Sequence, residues 1–210
     1  MSRIRDFISN PQTSKMGFGV AFKDDLGIKV FGQVRAEITY PNGESNLVLA
    51  KDNVYTLDGG ILASMLFSGE AGVSGLTMLA VGSGATGSSS SPDVADSRQR
   101  KLNSEIQRKP FSSVVYRAAD GTEASVPTNV VDFTTVFSET EASSAGLTEM
   151  GLLANTDSDP SVTDPVNEAF PTRTLSLDLT TKDILVNYLT FPVIHKPAGA
   201  VLAITWRLTF

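Results

Sequence analysis

The stretch Gly199–Phe210, GAVLAITWRLTF, decides how the rest of the chain is read. Leu202, Ile204, Trp206, Leu208 and Phe210 fall on every second residue, with Ala203, Thr205, Arg207 and Thr209 between them. A period of two belongs to a strand, because successive side chains of a pleated backbone point to opposite faces. Large apolar groups on one side, the single Trp of the chain among them, need a second layer above them. Leaving each exposed forgoes roughly 1.5–3 kcal/mol. The stretch therefore predicts the central strand of an all-β fold, an antiparallel β-sandwich with one short helix and an extended N-terminal arm. It also predicts that the final Phe lies inside a sheet.

Working outward, 210 residues with 41% hydrophobic content suffice for one large β domain or for a domain plus an arm. The reading adopted is an arm over 1–27 and a single sandwich over 28–210. A net charge of -6 with no long run of Lys or Arg argues against a nucleic-acid partner. With no cysteine, disulfides, thiolate zinc sites and cysteine nucleophiles are excluded together. The first residues lack the apolar core of a signal peptide, and no window approaches a membrane span, so a soluble chain with no membrane insertion is expected.

Residues 1–27 are locally basic and do not alternate cleanly. They read either as a frayed terminus or as an arm lying on a neighbouring subunit, with Arg3, Arg5, Phe7, Ile8, Phe18 and Phe22 as its contacts. From Ile28 to Tyr40 the alternation is regular, and Pro41-Asn42-Gly43 supplies the positive φ angles of a tight hairpin turn into a strand over Glu44–Leu49. Leu57–Phe67 predicts the helix, with Asp58 as its cap, Leu57, Ile61, Leu62, Met65 and Leu66 on one apolar face, and Gly69 and Gly72 ending it. Such a helix plugs one end of a sandwich.

Leu76–Val81 predicts a buried strand running into a flexible, surface-lying segment near 82–97, rich in Gly and Ser. Gly82 and Gly87 have phosphate-loop spacing, but Ser88 stands where the cation belongs, so no nucleotide site is expected. Arg98, Arg100, Lys101, Arg108 and Lys109 form the most basic segment, a solvated face or a set of intersubunit ion pairs. Phe111–Arg117, Asn129–Phe137, Leu147–Ala154, Leu175–Leu179 and Ile184–Ile194 complete the strands. Glu149 lies inside an apolar strand and needs a partner, for which Arg108 is the first choice in a structural ion pair. The second flexible loop, near 155–171, carries Asp157, Asp159 and Asp164, but not the Gly and terminal Glu of a helix-loop-helix calcium site.

His195 is the single histidine, at a strand end, and no Gly-x-Ser-x-Gly turn occurs. Paired carboxylates of the glycosidase kind stay open from sequence, but nothing singles out an active site. The chain reads as no enzyme, with no cofactor and no metal.

Three pieces together resemble a known group. Leu76–Val114 holds an apolar strand ending in Ala80-Val81-Gly82-Ser83-Gly84, a small-residue loop, then Leu102, Glu105 and Arg108 in a Leu-x-x-Glu-x-x-Arg element. Leu147-Thr148-Glu149-Met150-Gly151-Leu152 and the ending Ile204–Phe210 are the second and third. In order and spacing they are similar to the β-rich structural proteins of tailed-phage virions. The resemblance covers most of 46–210 and leaves the N-terminal 45 residues outside it. It implies a tail, neck or baseplate component or a fibre (collar) adaptor, made in the host bacterial cytoplasm and built into the virion as a symmetric homo-oligomer that docks other virion proteins. A capsid-decorating (cement) protein and a host-surface carbohydrate-binding module are the alternatives, and a metal-dependent hydrolase rests on carboxylates alone.

Overall fold

In a computed structural model, residues 30–71, 73–143, 146–154 and 184–210 are described. The arm over 1–27, Gly72, the acidic loop 155–171 and the expected strand Leu175–Leu179 lie outside them. The elements run β1 Phe31–Thr39, β2 Ser45–Asp52, β3 Val54–Tyr55, α1 Leu57–Ser68, β4 Leu76–Gly82, β5 Gly87–Ser88 and β6 Ser91–Pro92. They continue with β7 Glu105–Pro110, β8 Ser113–Tyr116, β9 Val130–Phe137, β10 Gly146–Ala154, β11 Ile184–His195 and β12 Val201–Thr209.

Two five-stranded antiparallel sheets pack together. The first has the order β2-β1-β12-β9-β8 and the second β3-β11-β10-β4-β7. Strand β12 is central, as its alternation requires, and its apolar residues form cross-strand rows with its neighbours: Ile38–Leu202–Phe137, Ala36–Ile204–Thr135 and Val34–Trp206–Phe133. Trp206 is 0% exposed. Leu79, Val81, Met150, Leu152, Leu189 and Phe191 of the second sheet join the same core from the other side. Phe210 departs from expectation. It lies one residue beyond β12, is 57% exposed, and is tied to Asn129 alone, its N–H donating to the Asn129 carbonyl at 2.9 Å and its carbonyl accepting from the Asn129 side-chain amide at 3.1 Å. The apolar face of the strand thus ends at Leu208.

Local chemistry explains two further differences and shows how one loop is held. In the first hairpin Gly43 alone takes a positive φ, 84°, and Tyr40 bonds to both Gly43 and Glu44. The connection is a three-residue loop with glycine at its left-handed position, not a two-residue Asn-Gly turn. The cap of α1 is Thr56, whose hydroxyl accepts from the Gly59 N–H at 2.9 Å, while Asp58 turns inward and sits 3.6 Å from Arg100. Between Gly82 and Ser97 the chain forms the β5–β6 hairpin and is tied down, with Ser89 accepting from the Val193 N–H, Asp93 from the Thr190 hydroxyl and Ser97 from the Leu57 N–H. These bonds join it to β11 at Ser89 and Asp93 and to α1 at Ser97, while most of its residues lie at the surface as expected.

Candidate functional site

Glu149 comes first, because a carboxylate at 0% exposure must be explained. The pairing of β10 with β4 sets Glu149 opposite Gly82, and a Cβ on Gly82 would come within 2.8 Å of the Glu149 carboxylate. The missing side chain is what lets the carboxylate lie over β4. Oε1 then accepts from the N–H groups of Gly84 at 3.0 Å and Ser104 at 2.8 Å, and Oε2 from the N–H of Asn103 at 3.1 Å and the Tyr188 hydroxyl at 2.6 Å. Four donors converge on two oxygens, the complement of an ionised carboxylate.

The expected Glu149–Arg108 pair does not form. Arg108 lies on β7, which β4 separates from β10, and its guanidinium forks onto Glu105, with Nη2 to Oε2 at 2.8 Å. Backbone amides supply what a cation was expected to supply. The end of β4 with Ser83 and Gly84, and the Asn103-Ser104 bend, both inside the first of the three pieces, meet the second piece at this one carboxylate.

Several other charged groups among the described residues are also paired within the chain. Arg98 holds Asp96 at 2.6 Å, and Lys109 holds Glu141 at 2.7 Å and the Val136 carbonyl at 2.9 Å, so these cations of the basic segment engage partners within the chain. On the outer face of the first sheet, buried Asp132 accepts from Arg117 on one side and from both Nε and Nη2 of Arg207 on the other. Burial pushes the Asp132 carboxyl up, but the hydrogen bonds from Arg207 and Arg117 outweigh it and hold the group below its usual range. Lys196 is driven down by burial, against the raising effect of Glu141 and Glu139, and its Nζ rests on the Glu139 carbonyl at 3.0 Å.

None of these constellations presents a nucleophile beside a base. His195 is exposed at the end of β11, and among the described residues no group of three or more His, Asp or Glu comes together as a metal site. A half-open groove of about 300 Å³ beside the start of β1 is lined by Asp52, Asn53, Arg207 and Thr209 among others. Its charges are a carboxylate and a guanidinium already engaged with Asp132.

What the surface does offer is apolar. Helix α1 packs on β11 through Leu62, with Ala154, Ile184 and Val186 around it, and comes so close that a Cβ on Gly59 would stand 2.8 Å from the Val186 carbonyl. Leu62 and Met65 are buried there, while Leu57, Ile61, Leu66 and Phe67 are exposed, Phe67 at 92%. Sequence reasoning placed the helix but assigned Leu57, Ile61 and Leu66 to the covered face. The signal it missed is that no charged residue occurs between Asp58 and Glu70, so nothing in the sequence marks a solvent side. The contacts expected of Arg3, Arg5, Phe7, Ile8, Phe18 and Phe22 lie outside the described residues.

Among the described residues, fold and surface together define a two-sheet antiparallel sandwich that carries a helix with an exposed apolar face. No family model matches the chain, and no curated protein matches it.

Proposed function

We propose that this chain is a structural subunit of a tailed-phage virion, a tail, neck or baseplate component or fibre adaptor that assembles with copies of itself and docks other virion proteins. The reading is architectural, with no catalysis, cofactor or small-molecule substrate, and it places the chain in the particle after synthesis in the bacterial cytoplasm. The observation that carries association is α1, apolar on all sides and covered on one, because a helix hydrophobic all round is stable only when enclosed. Support for the virion comes from the three sequence pieces, two of which converge on Glu149 while the third closes the first sheet. Burial of Trp206 speaks against a sugar-stacking role for the indole.

The test is peptide mass fingerprinting of purified tailed particles from cells carrying the gene, with the mass of the free protein measured by light scattering. Peptides of this chain at stoichiometric abundance are expected in the particles. Their absence from particles that are complete and infective overturns the proposal.

A further inference from the structure

From Gly59 to Gly69 α1 has no charged residue, and Leu57, Ile61, Leu66 and Phe67 stand in solvent on the sides turned away from β11. The helix spans roughly 18 Å at 1.5 Å per residue. Its last turn contains no basic residue, and Glu70 follows directly, so the carbonyl end of the helix and an acidic side chain add their negative character at the edge of the apolar surface.

Two segments of the chain lie outside the described residues and are long enough to cover this face. Residues 155–183 leave and re-enter beside Leu62, but they carry six acids, Asp157, Asp159, Asp164, Glu168, Asp178 and Asp183, against Arg173 and Lys182. That charge is repelled by the acidic end of α1. Residues 1–29 carry Arg3, Arg5, Lys15, Lys23 and Lys29 against Asp6, Asp24 and Asp25, with Ile4, Phe7, Ile8, Met16, Phe18 and Phe22 among them. They join the fold at Val30, where the Gly32 carbonyl accepts from the Asn53 N–H at 3.1 Å, four residues before α1 begins at Leu57. Twenty-nine residues reach about 95 Å when extended, several times what is needed to lie along α1 of the same chain or of an adjoining copy.

We propose that the uncovered face of α1 is the dock for the N-terminal segment, residues 1–29, of this protein. The apolar side chains of the segment cover Leu57, Ile61, Leu66 and Phe67, and its cations meet Glu70 and the carbonyl end of the helix. The proposal rests on the same exposed helix as the association reading: a segment supplied by another copy deepens that reading, whereas a segment of the same chain covers the helix without a partner and leaves the dock standing by itself.

Because the chain has no cysteine, every disulfide introduced is attributable. In the whole 210-residue chain, Ser64→Cys on the exposed side of α1 is combined with Gly19→Cys, or with Gly17→Cys, which leaves every apolar side chain in place. Mild oxidation is expected to close a disulfide between the two at several times the yield of a control that pairs the same arm position with Val126→Cys, an exposed apolar site away from α1. Adding Phe67→Ser, a change at a solvent-exposed position, is expected to bring the yield down to the control. A bond within one chain or between two chains supports the dock alike, and electrophoresis shows which copy supplies the segment. A yield no higher than the control at both arm positions overturns the proposal. So does a dominant bond between position 64 of two copies, which would make a second helix the cover.

Discussion

Glu149 reports on its surroundings through four donors, and their arrangement tells how each replacement behaves. Glu149→Gln keeps the shape but presents an amide N–H₂ to the Asn103 N–H, leaving donors face to face in a buried site. Loss of about 2–4 kcal/mol is expected, read as a lower urea midpoint at unchanged slope. Tyr188 shares the site, and its effect is visible through pH. Burial, and then the adjacent Glu149 carboxylate, push its phenol well above 10.0, and burial alone raises Tyr55. The folded chain therefore prefers both phenols neutral. That contribution is fully present well below pH 10.0, the ordinary value for a tyrosine, and declines as pH rises through it, for Tyr188 by at most about 1.4 kcal/mol per pH unit. Equilibrium unfolding between pH 8 and 11 should show a flat region followed by a fall, with a shallower fall in Tyr188→Phe. An equal slope in both proteins would contradict this account of the site.

At the scale of elements, α1 shows what sequence reveals and what it hides. Its span, and its stop at Gly69, which takes φ 70°, follow from propensity and from the glycine, both local properties. Its cap did not follow, because Thr56 and Asp58 are both competent residues and only tertiary contact separates them. Thr56 also donates to the Leu185 carbonyl of β11, while Asp58 lies inward near Arg100. Thr56→Ala should accordingly cost about 1–2 kcal/mol in thermal or urea unfolding, with the helix signal in circular dichroism weakened. The strands were legible for a related reason. In β1, β9 and β12 the core needs one face only, so alternation survives in the sequence, whereas β10 is covered on both faces and reads as an apolar run. What alternation cannot carry is strand order. Arg108 was matched to Glu149 as the nearest cation to a buried acid, and the presence of β4 between their strands is a fact of topology that no local pattern contains.

For the whole molecule, the order of the first sheet is the governing fact. The β1–β2 hairpin on one side and the β8–β9 pair on the other are joined in that sheet only through β12. Removal of residues 201–210 should abolish the cooperative thermal transition altogether, not merely lower its midpoint, because both flanking pairs and the large side chains opposite Trp206 lose their cover together. A truncated chain that still melted in a single sharp step would show that the second sheet and α1 form an independent unit. Pairing Phe31 with Thr209 also closes a loop over nearly the entire described chain, which predicts refolding on the millisecond-to-second scale of non-local β proteins.

Among the described strands β12 comes last in the chain, so a ribosome delivers the keystone of the first sheet after the strands on both sides of it. A nascent chain stalled before Val201 leaves the β1–β2 and β8–β9 ribbons unjoined and a layer of aliphatic side chains without its cover, a state open to aggregation. The place of one strand in the chain order thus makes the joining of the first sheet wait on every other described strand.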